Sequence, residues 1–219
     1  FTKTDGKKFL EECFRVLKPN GIIRIAVPDL ERIAREYLKN LELALQGDSK
    51  AQANYEWIML EMYDQAVRTK SGGDMAAYIF QEHIPNEEYV FQRIGEEGRA
   101  LRQAYLNRIN QSSGQMSTKD KRSIIRKILS KGKFLLIKMI FSEENLKYIE
   151  IGRFRLSGEV HQWMYDRYSL TKLLQSVGFH NIKIKTAFES DIPNWNSFEL
   201  ESKNGIIFKP DSLFIEAIK

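Results

Sequence analysis

Glu11-Glu12-Cys13-Phe14-Arg15-Val16-Leu17-Lys18-Pro19-Asn20-Gly21 runs directly into Ile22-Ile23-Arg24-Ile25-Ala26-Val27-Pro28-Asp29. The change of period across that join decides the fold. Before it, Phe9, Leu10, Cys13, Phe14 and Leu17 recur at helical spacing and form one apolar face. Thr4 or Asp5 is the expected N-cap. Pro19 cannot continue a helix, and Asn20-Gly21 accepts positive φ, so the helix stops there. Ile22 to Val27 is nearly continuously apolar and β-branched, as strands covered on both faces are. Pro28 closes the strand and Asp29 suits the cap of a following helix. Helix, turn, strand, turn, helix is the repeating piece of an open α/β sheet.

Outward from this unit, residues from Leu30 to about Ile151 read as helix. Leu30, Ile33, Tyr37, Leu38, Leu41 and Leu45 form one stripe, ended by Gly47; Tyr55, Ile58, Met59, Met62, Tyr63, Ala66 and Val67 form another, ended by Ser71-Gly72-Gly73. A third region, Glu87 to Asn110, is interrupted by Gly95 and Gly98. Asn110 to Thr118 is polar and reads as a loop. Lys119 to Lys138 is a basic helix candidate with eight Lys or Arg against one Asp. The last third returns to α/β character. A helix starts at Ser169-Leu170 and ends at Gly178, Ile182 to Thr186 alternates as a strand, and Ser212 to Ile218 is a final strand.

The 219 residues suit one ordinary domain or one domain with a large insertion, and 42% apolar residues suffice for a packed core, which argues against a largely disordered chain. With Cys13 alone, no intrachain disulfide and no cysteine-based metal cage can form, and no histidine spacing suggests a metal. The expected compartment is reducing, hence cytoplasmic. No apolar run approaches the roughly 20 residues needed to span a bilayer. Phe1 to Asp5 carries no apolar stretch of the kind a signal peptide needs. Phe1 stands where an initiator Met would, so the expectation is a chain that starts inside a longer protein.

The opening stretch resembles the helix, "RVLKPGG" turn and strand that form the fourth helix and fifth strand of class I S-adenosylmethionine (SAM)-dependent methyltransferases, with Asn20 in place of the first Gly. Ser169 to Phe179 looks like that family's helix before its sixth strand. Ser212 to Lys219 looks like its seventh strand, which inserts antiparallel to the rest. Tyr55-Glu56-Trp57, Asp64 to Arg68, Ser71 to Met75, Arg93-Ile94-Gly95 and Gly158 to Asp166 are similar to a bacterial, methyltransferase type 11-like branch associated with surface-glycan and natural-product gene clusters. The resemblance implies methyl transfer from SAM to a small-molecule or glycan-like acceptor, at oxygen rather than carbon. It implies an α/β fold, the C-terminal part of a doubly wound Rossmann-like sheet. Residues 1–29 and 152–219 would form the core, and residues 30–151 a helical insertion acting as acceptor lid. The family's cofactor loop is glycine-rich, and this sequence holds no G-x-G pair, so no residue of the chain is expected to bind the cofactor.

His161 is the candidate catalytic residue. It lies among Gly158-Glu159-Val160-His161-Gln162-Trp163-Met164-Tyr165-Asp166. O-methylation needs a base near the acceptor hydroxyl, and imidazole has a suitable pKa. The competing reading is a packed loop with a structural histidine. His83 and His180 read as structural. Arg68, at i+4 from Asp64, suits bidentate recognition of an anionic group on the acceptor, against the ordinary reading of an i,i+4 ion pair. Asp64, Arg68, Arg155 and Tyr165 are the candidate acceptor-binding residues. Asp29 is a cap, or a ligand at the carboxyl end of a strand. For the basic stretch 119–138 the rival expectations are a solvated surface helix, or weak contact with an anionic membrane or a glycolipid acceptor. Nucleic acid is not an expected partner, since no aromatic interleaving or reader motif accompanies the charge. The two functional alternatives are a non-catalytic binding or scaffold protein and a peripheral membrane protein.

Overall fold

The computed structural model describes residues 1–112 and 142–219. The basic stretch 119–138 and the polar loop lie outside the described residues. The chain is a mixed α/β protein. It opens with α1 (Lys3–Val16), β1 (Ile22–Pro28), α2 (Leu30–Leu45), α3 (Ser49–Val67), α4 (Gly73–Ile79) and α5 (Glu87–Ser112). It continues with α6 (Glu143–Arg155), α7 (Arg167–Val177), β2 (His180–Lys185), a 3-10 turn (Trp195–Phe198), β3 (Ser202–Lys203), β4 (Ile206–Ile207) and β5 (Ser212–Ile218).

Local chemistry sets most of these boundaries. The cap of α1 is Thr2, two or three residues earlier than the expected Thr4 or Asp5; its hydroxyl accepts the Asp5 N–H at 3.1 Å. Asp29 caps α2 as expected, accepting from Glu31 N at 3.1 Å and Arg32 N at 3.3 Å. Asp166 and Ser169 form a reciprocal capping box that starts α7, and Gly178 ends it. The second helical stripe stops at Val67, before Ser71-Gly72-Gly73, and that glycine pair instead opens α4.

The expected strands form one small sheet in the order β1-β5-β2, with β5 central and antiparallel to both neighbours. A doubly wound sheet is not present among the described residues; the sheet there has three strands, and β1 is an edge with β5 as its single partner. β3 and β4 form a separate two-stranded hairpin that the sequence reading had not placed.

Alternation assigns the two faces of the sheet. Leu213, Ile215 and Ala217 pack with Leu10 of α1, Leu170 and Leu174 of α7, and Phe179; Ile23, Ile25 and Val27 of β1 join them. Phe14 and Phe179 meet edge to face, 5.0 Å between centroids, under this layer. A second core lies in the helical part, where Trp57, Ile79, Ile84, Val90 and Phe91 are buried together. The described part of residues 30–151 is therefore mostly helix, with a core of its own.

The opposite sheet face carries charge. Arg24 of β1 lies across from Glu216 of β5, and both are nearly fully buried. Arg24 Nη1 donates to Glu216 at 2.7 Å and to the Glu189 carbonyl at 2.9 Å, Nε donates to Glu201 at 3.0 Å, and Nη2 donates to the Thr186 carbonyl at 2.8 Å. Trp195 stacks on the guanidinium, 4.5 Å from its ring centroid. Burial works against this charge, and the hydrogen bonds to Glu201 and Glu216 outweigh it, so the Arg24 pKa is raised.

One backbone contact joins the sheet to the helical part. At Gly95, α5 kinks with φ 64° and ψ −151°, a region essentially reserved for glycine. A Cβ there would collide with the Pro210 ring and the Phe208 carbonyl. The absent side chain lets the segment before β5 press against α5, where Glu97 N–H reaches the Phe208 carbonyl at 3.4 Å.

Gly95→Ala should cost about 2 kcal/mol or more in urea unfolding, since strain and collision add. An unchanged midpoint would contradict this account of the kink. Arg24→Leu should cost about 3–5 kcal/mol, because two carboxylates lose their buried counter-ion. Arg24→Lys should recover only part of that loss, as an ammonium cannot reproduce the planar fork.

Candidate functional site

β5 runs antiparallel to β1, so its first residues lie beside the last residues of β1: Pro28 pairs with Ser212 and Val27 with Leu213. At that end of the sheet opens a cleft of about 590 Å³, a size suited to small molecules. Its floor is Ala26, Val27 and Pro28 of β1 with Asp211 and Ser212. Its roof is helical, from Gln65, Arg68, Met75 and Ile79 on one side and Ile94, Glu97 and Leu101 of α5 on the other. His161 enters from the loop between α6 and α7.

His161, the expected catalytic residue, lines this cleft. Its backbone N–H donates to the Gln65 carbonyl at 2.9 Å and fixes the loop against α3. Burial first, then the positive charges of Arg68 and Lys209, holds its pKa below the usual imidazole range. The ring is therefore neutral at neutral pH, and it makes no hydrogen bond among the described residues.

The candidate acceptor-binding residues separate. Arg68 lines the cleft, but its guanidinium is already held: Nη2 donates to Asp64 at 2.6 Å and Nη1 to Glu159 at 3.2 Å. The i,i+4 ion pair is thus formed, and a third group, Glu159, completes it. Asp64 is buried and serves structure. It accepts from the N–H groups of Asp74 at 2.7 Å and Met75 at 3.4 Å, so it caps α4, and Gly73 leaves room for its carboxylate. Glu159 accepts the Gly72 N–H at 2.7 Å. These contacts tie α3, α4 and the His161 loop together.

Arg155 is exposed and points at the last carbonyls of α3, 3.4 Å from Val67 O and 3.5 Å from Ala66 O. Tyr165 faces away from the cleft: its hydroxyl lies against Gly6 of α1, buried and unpartnered among the described residues. Its carbonyl accepts the Leu30 N–H at 3.0 Å, which joins the loop to α2. Neither residue is placed to orient a ligand in the cleft with His161. Asp29 has its carboxylate engaged as the α2 cap.

Asp211 is the cleft residue that the sequence reading missed. Its carboxyl forms no ion pair among the described residues and accepts only from its own backbone N–H, and it is half-buried beside the buried Glu61–Arg93 pair. In that pair Arg93 Nε donates to Glu61 at 3.1 Å, and Trp57 Nε1 donates to the same carboxylate at 3.1 Å. Burial, reinforced by Glu61 and opposed by Arg93 and Lys209, pushes the Asp211 carboxyl up to about 6. Lys209 also lines the cleft and pairs with Glu97 at 2.9 Å on its exposed rim. The signal that could have found Asp211 is topological. A polar residue opening an antiparallel strand lies at the same sheet end as the residues closing its neighbour.

Among the described residues no group of three or more His, Cys, Asp or Glu could hold a metal ion, and no helix is long and apolar enough to cross a membrane.

The raised carboxyl of Asp211 makes a stability prediction. Unfolded, the group titrates near 3.8, and folded near 6, so its ionised form is disfavoured by folding. That penalty is absent below about pH 4, grows as pH rises, and is complete above about pH 6. Asp211→Asn should therefore raise stability by on the order of 2 kcal/mol near pH 8 and change it little near pH 4, read by urea unfolding at both pH values. A gain that is independent of pH would show that the carboxyl is not strained. No protein-family model matches the chain, and no curated protein or solved structure matches it either.

Proposed function

We propose that the cleft is the acceptor site of a SAM-dependent methyltransferase that acts on a small-molecule or glycan-like acceptor, at oxygen. The observation that carries this reading is topological. The last strand runs antiparallel to both strands that flank it, as the resemblance implies for the family's seventh strand. The sheet would then be the C-terminal part of a larger doubly wound one. The cleft opens at the carboxyl end of β1, the sheet end where open α/β proteins bind ligands. A cytoplasmic location accords with this reading.

His161 would act as general base. A neutral imidazole in the cleft accepts the proton of an acceptor hydroxyl as that oxygen becomes nucleophilic, and passes it to water at the cleft mouth. Burial and two nearby cations weaken the base but keep it unprotonated, and therefore competent, at neutral pH. The carbonyl of Gln65 anchors the loop that presents it. Positioning does the remainder of the work, through the walls of α3 and α5.

The cofactor does not fit the residues of this chain. No G-x-G pair occurs in the sequence, and the described sheet carries no glycine-rich turn from a strand into a helix N-terminus of the sort that cradles such a ligand. The chain's own contribution is therefore the acceptor side, and the donor side must be supplied by other residues. The same mismatch supports a second reading, a binding protein that uses the cleft without catalysis.

Calorimetry separates the two readings. SAM should not bind residues 1–219 alone, and should bind a longer protein that carries the glycine-rich donor half the resemblance implies. In that longer protein, His161→Ala should leave SAM affinity unchanged and lower transfer of labelled methyl groups to a panel of polyols by about 10²–10⁴-fold. No SAM binding in either form would favour the binding protein. Unchanged transfer would remove His161 from the chemistry.

A further inference from the structure

The charges around the cleft are unequally satisfied. Arg68 is neutralised twice, by Asp64 at 2.6 Å and by Glu159 at 3.2 Å. Lys209 is held at the rim by Glu97 at 2.9 Å. Arg93, behind the wall, is bound by the fully buried Glu61. Each cation that borders the cleft thus has a carboxylate of its own, and Arg68 has two. Asp211 is left over: it lines the cleft and has no cation within ion-pair distance among the described residues. Among the described residues, the charged or ionisable groups with unused capacity are the Asp211 carboxylate, an acceptor only, and the neutral His161 ring, with one acceptor nitrogen and one N–H donor.

We propose that the cleft takes a hydroxylated ligand carrying a protonated amine, an amino sugar or similar amino-alcohol, with Asp211 receiving the ammonium group and anionic ligands excluded. This inference rests on the cleft being the acceptor site. It replaces the anionic acceptor that Arg68 suggested from spacing alone. An anion entering here would meet two spoken-for cations and an uncompensated carboxylate, and would have to break the Arg68 ion pairs that hold α4 and the His161 loop. A hydroxylated amine meets complementary partners throughout: the ammonium pairs with Asp211, and a hydroxyl donates to His161. The apolar surfaces of Met75, Ile79 and Ile94 can cover its carbon skeleton. The charge-assisted bond relieves the cost of holding Asp211 ionised in a half-buried place. Ligand and site therefore stabilise each other.

Three probes of one ring shape test this: glucosamine, glucose and glucuronate, titrated near neutral pH into the ¹⁵N-labelled chain and followed by amide shifts. Glucosamine should perturb Gln65, His161 and Ser212, and bind about tenfold more tightly than glucose, with glucuronate weakest. Asp211→Asn, which is expected to fold at least as stably as the parent, should abolish the preference for glucosamine over glucose. The proposal is overturned if glucuronate binds as tightly as glucosamine, if the preference survives Asp211→Asn, or if no probe shifts the cleft residues. The titration contains no SAM and reads no methyl transfer. A chain that ranks the sugars as expected but never methylates would refute the enzyme reading and keep this one, and the converse result would do the opposite.

Discussion

Arg24 is the residue on which the arrangement of the sheet's second face depends. A guanidinium at 3% exposure is tolerated only because nearly all of its donors are spent, on two carboxylates and two carbonyls. Those partners come from distant parts of the chain. Glu216 is on the central strand, Thr186 and Glu189 follow β2, and Glu201 leads into the β3–β4 hairpin. One side chain on β1 therefore gathers the whole segment between β2 and β5 onto the sheet. Ser190 and the Asp191 N–H complete the coordination of Glu216, and hold its carboxyl below the usual range against the effect of burial.

The cleft follows from that gathering. The hairpin is held by Glu201, whose carbonyl accepts the Phe208 N–H at 2.9 Å. The chain then passes Phe208 and Pro210 across Gly95 and delivers Asp211 to the start of β5. Because β5 is antiparallel to β1, that start coincides with the end of β1. The helical part closes the cleft from above, and Glu61–Arg93, whose charges both act on Asp211, fixes α3 to α5. Sheet face, hairpin, kink and cleft form one causal series, and each member constrains the next.

The elements whose period and capping are local were legible in the sequence. Ile22–Val27, Ser212–Ile218, the Asp29 cap, the Gly178 stop and the interruption at Gly95 are all found close to where the spacing puts them. Thr2 was missed as a cap because Thr4 and Asp5 offer the same chemistry within one turn. The β3–β4 hairpin was missed because two-residue strands leave no alternation to read. The role of Arg24 is not legible in the stretch Ile22–Val27, since its partners lie more than 160 residues away. Of the residues that line the cleft, His161 was legible from its surroundings of titratable and aromatic groups. The side chain of Tyr165 could not be placed, because the sequence does not say which way a loop residue faces, and it faces α1.

Arg68 and Asp211 show why spacing misjudges charge. Spacing located Arg68 beside Asp64 and left its remaining capacity open, so a ligand role stayed available. The fold brings Glu159 across 91 positions to fill that capacity, and a cation with two carboxylates has little attraction left for a third anion. Asp211 is the reverse case. Nothing in Pro210-Asp211-Ser212 marks it as more than a turn, yet the cation that acts on it most, Arg93, is already committed to Glu61. A charge acts on a ligand only to the extent that the protein has not already answered it. By that measure the active electrostatic group in the cleft is the carboxylate, and the arginine serves as part of the wall.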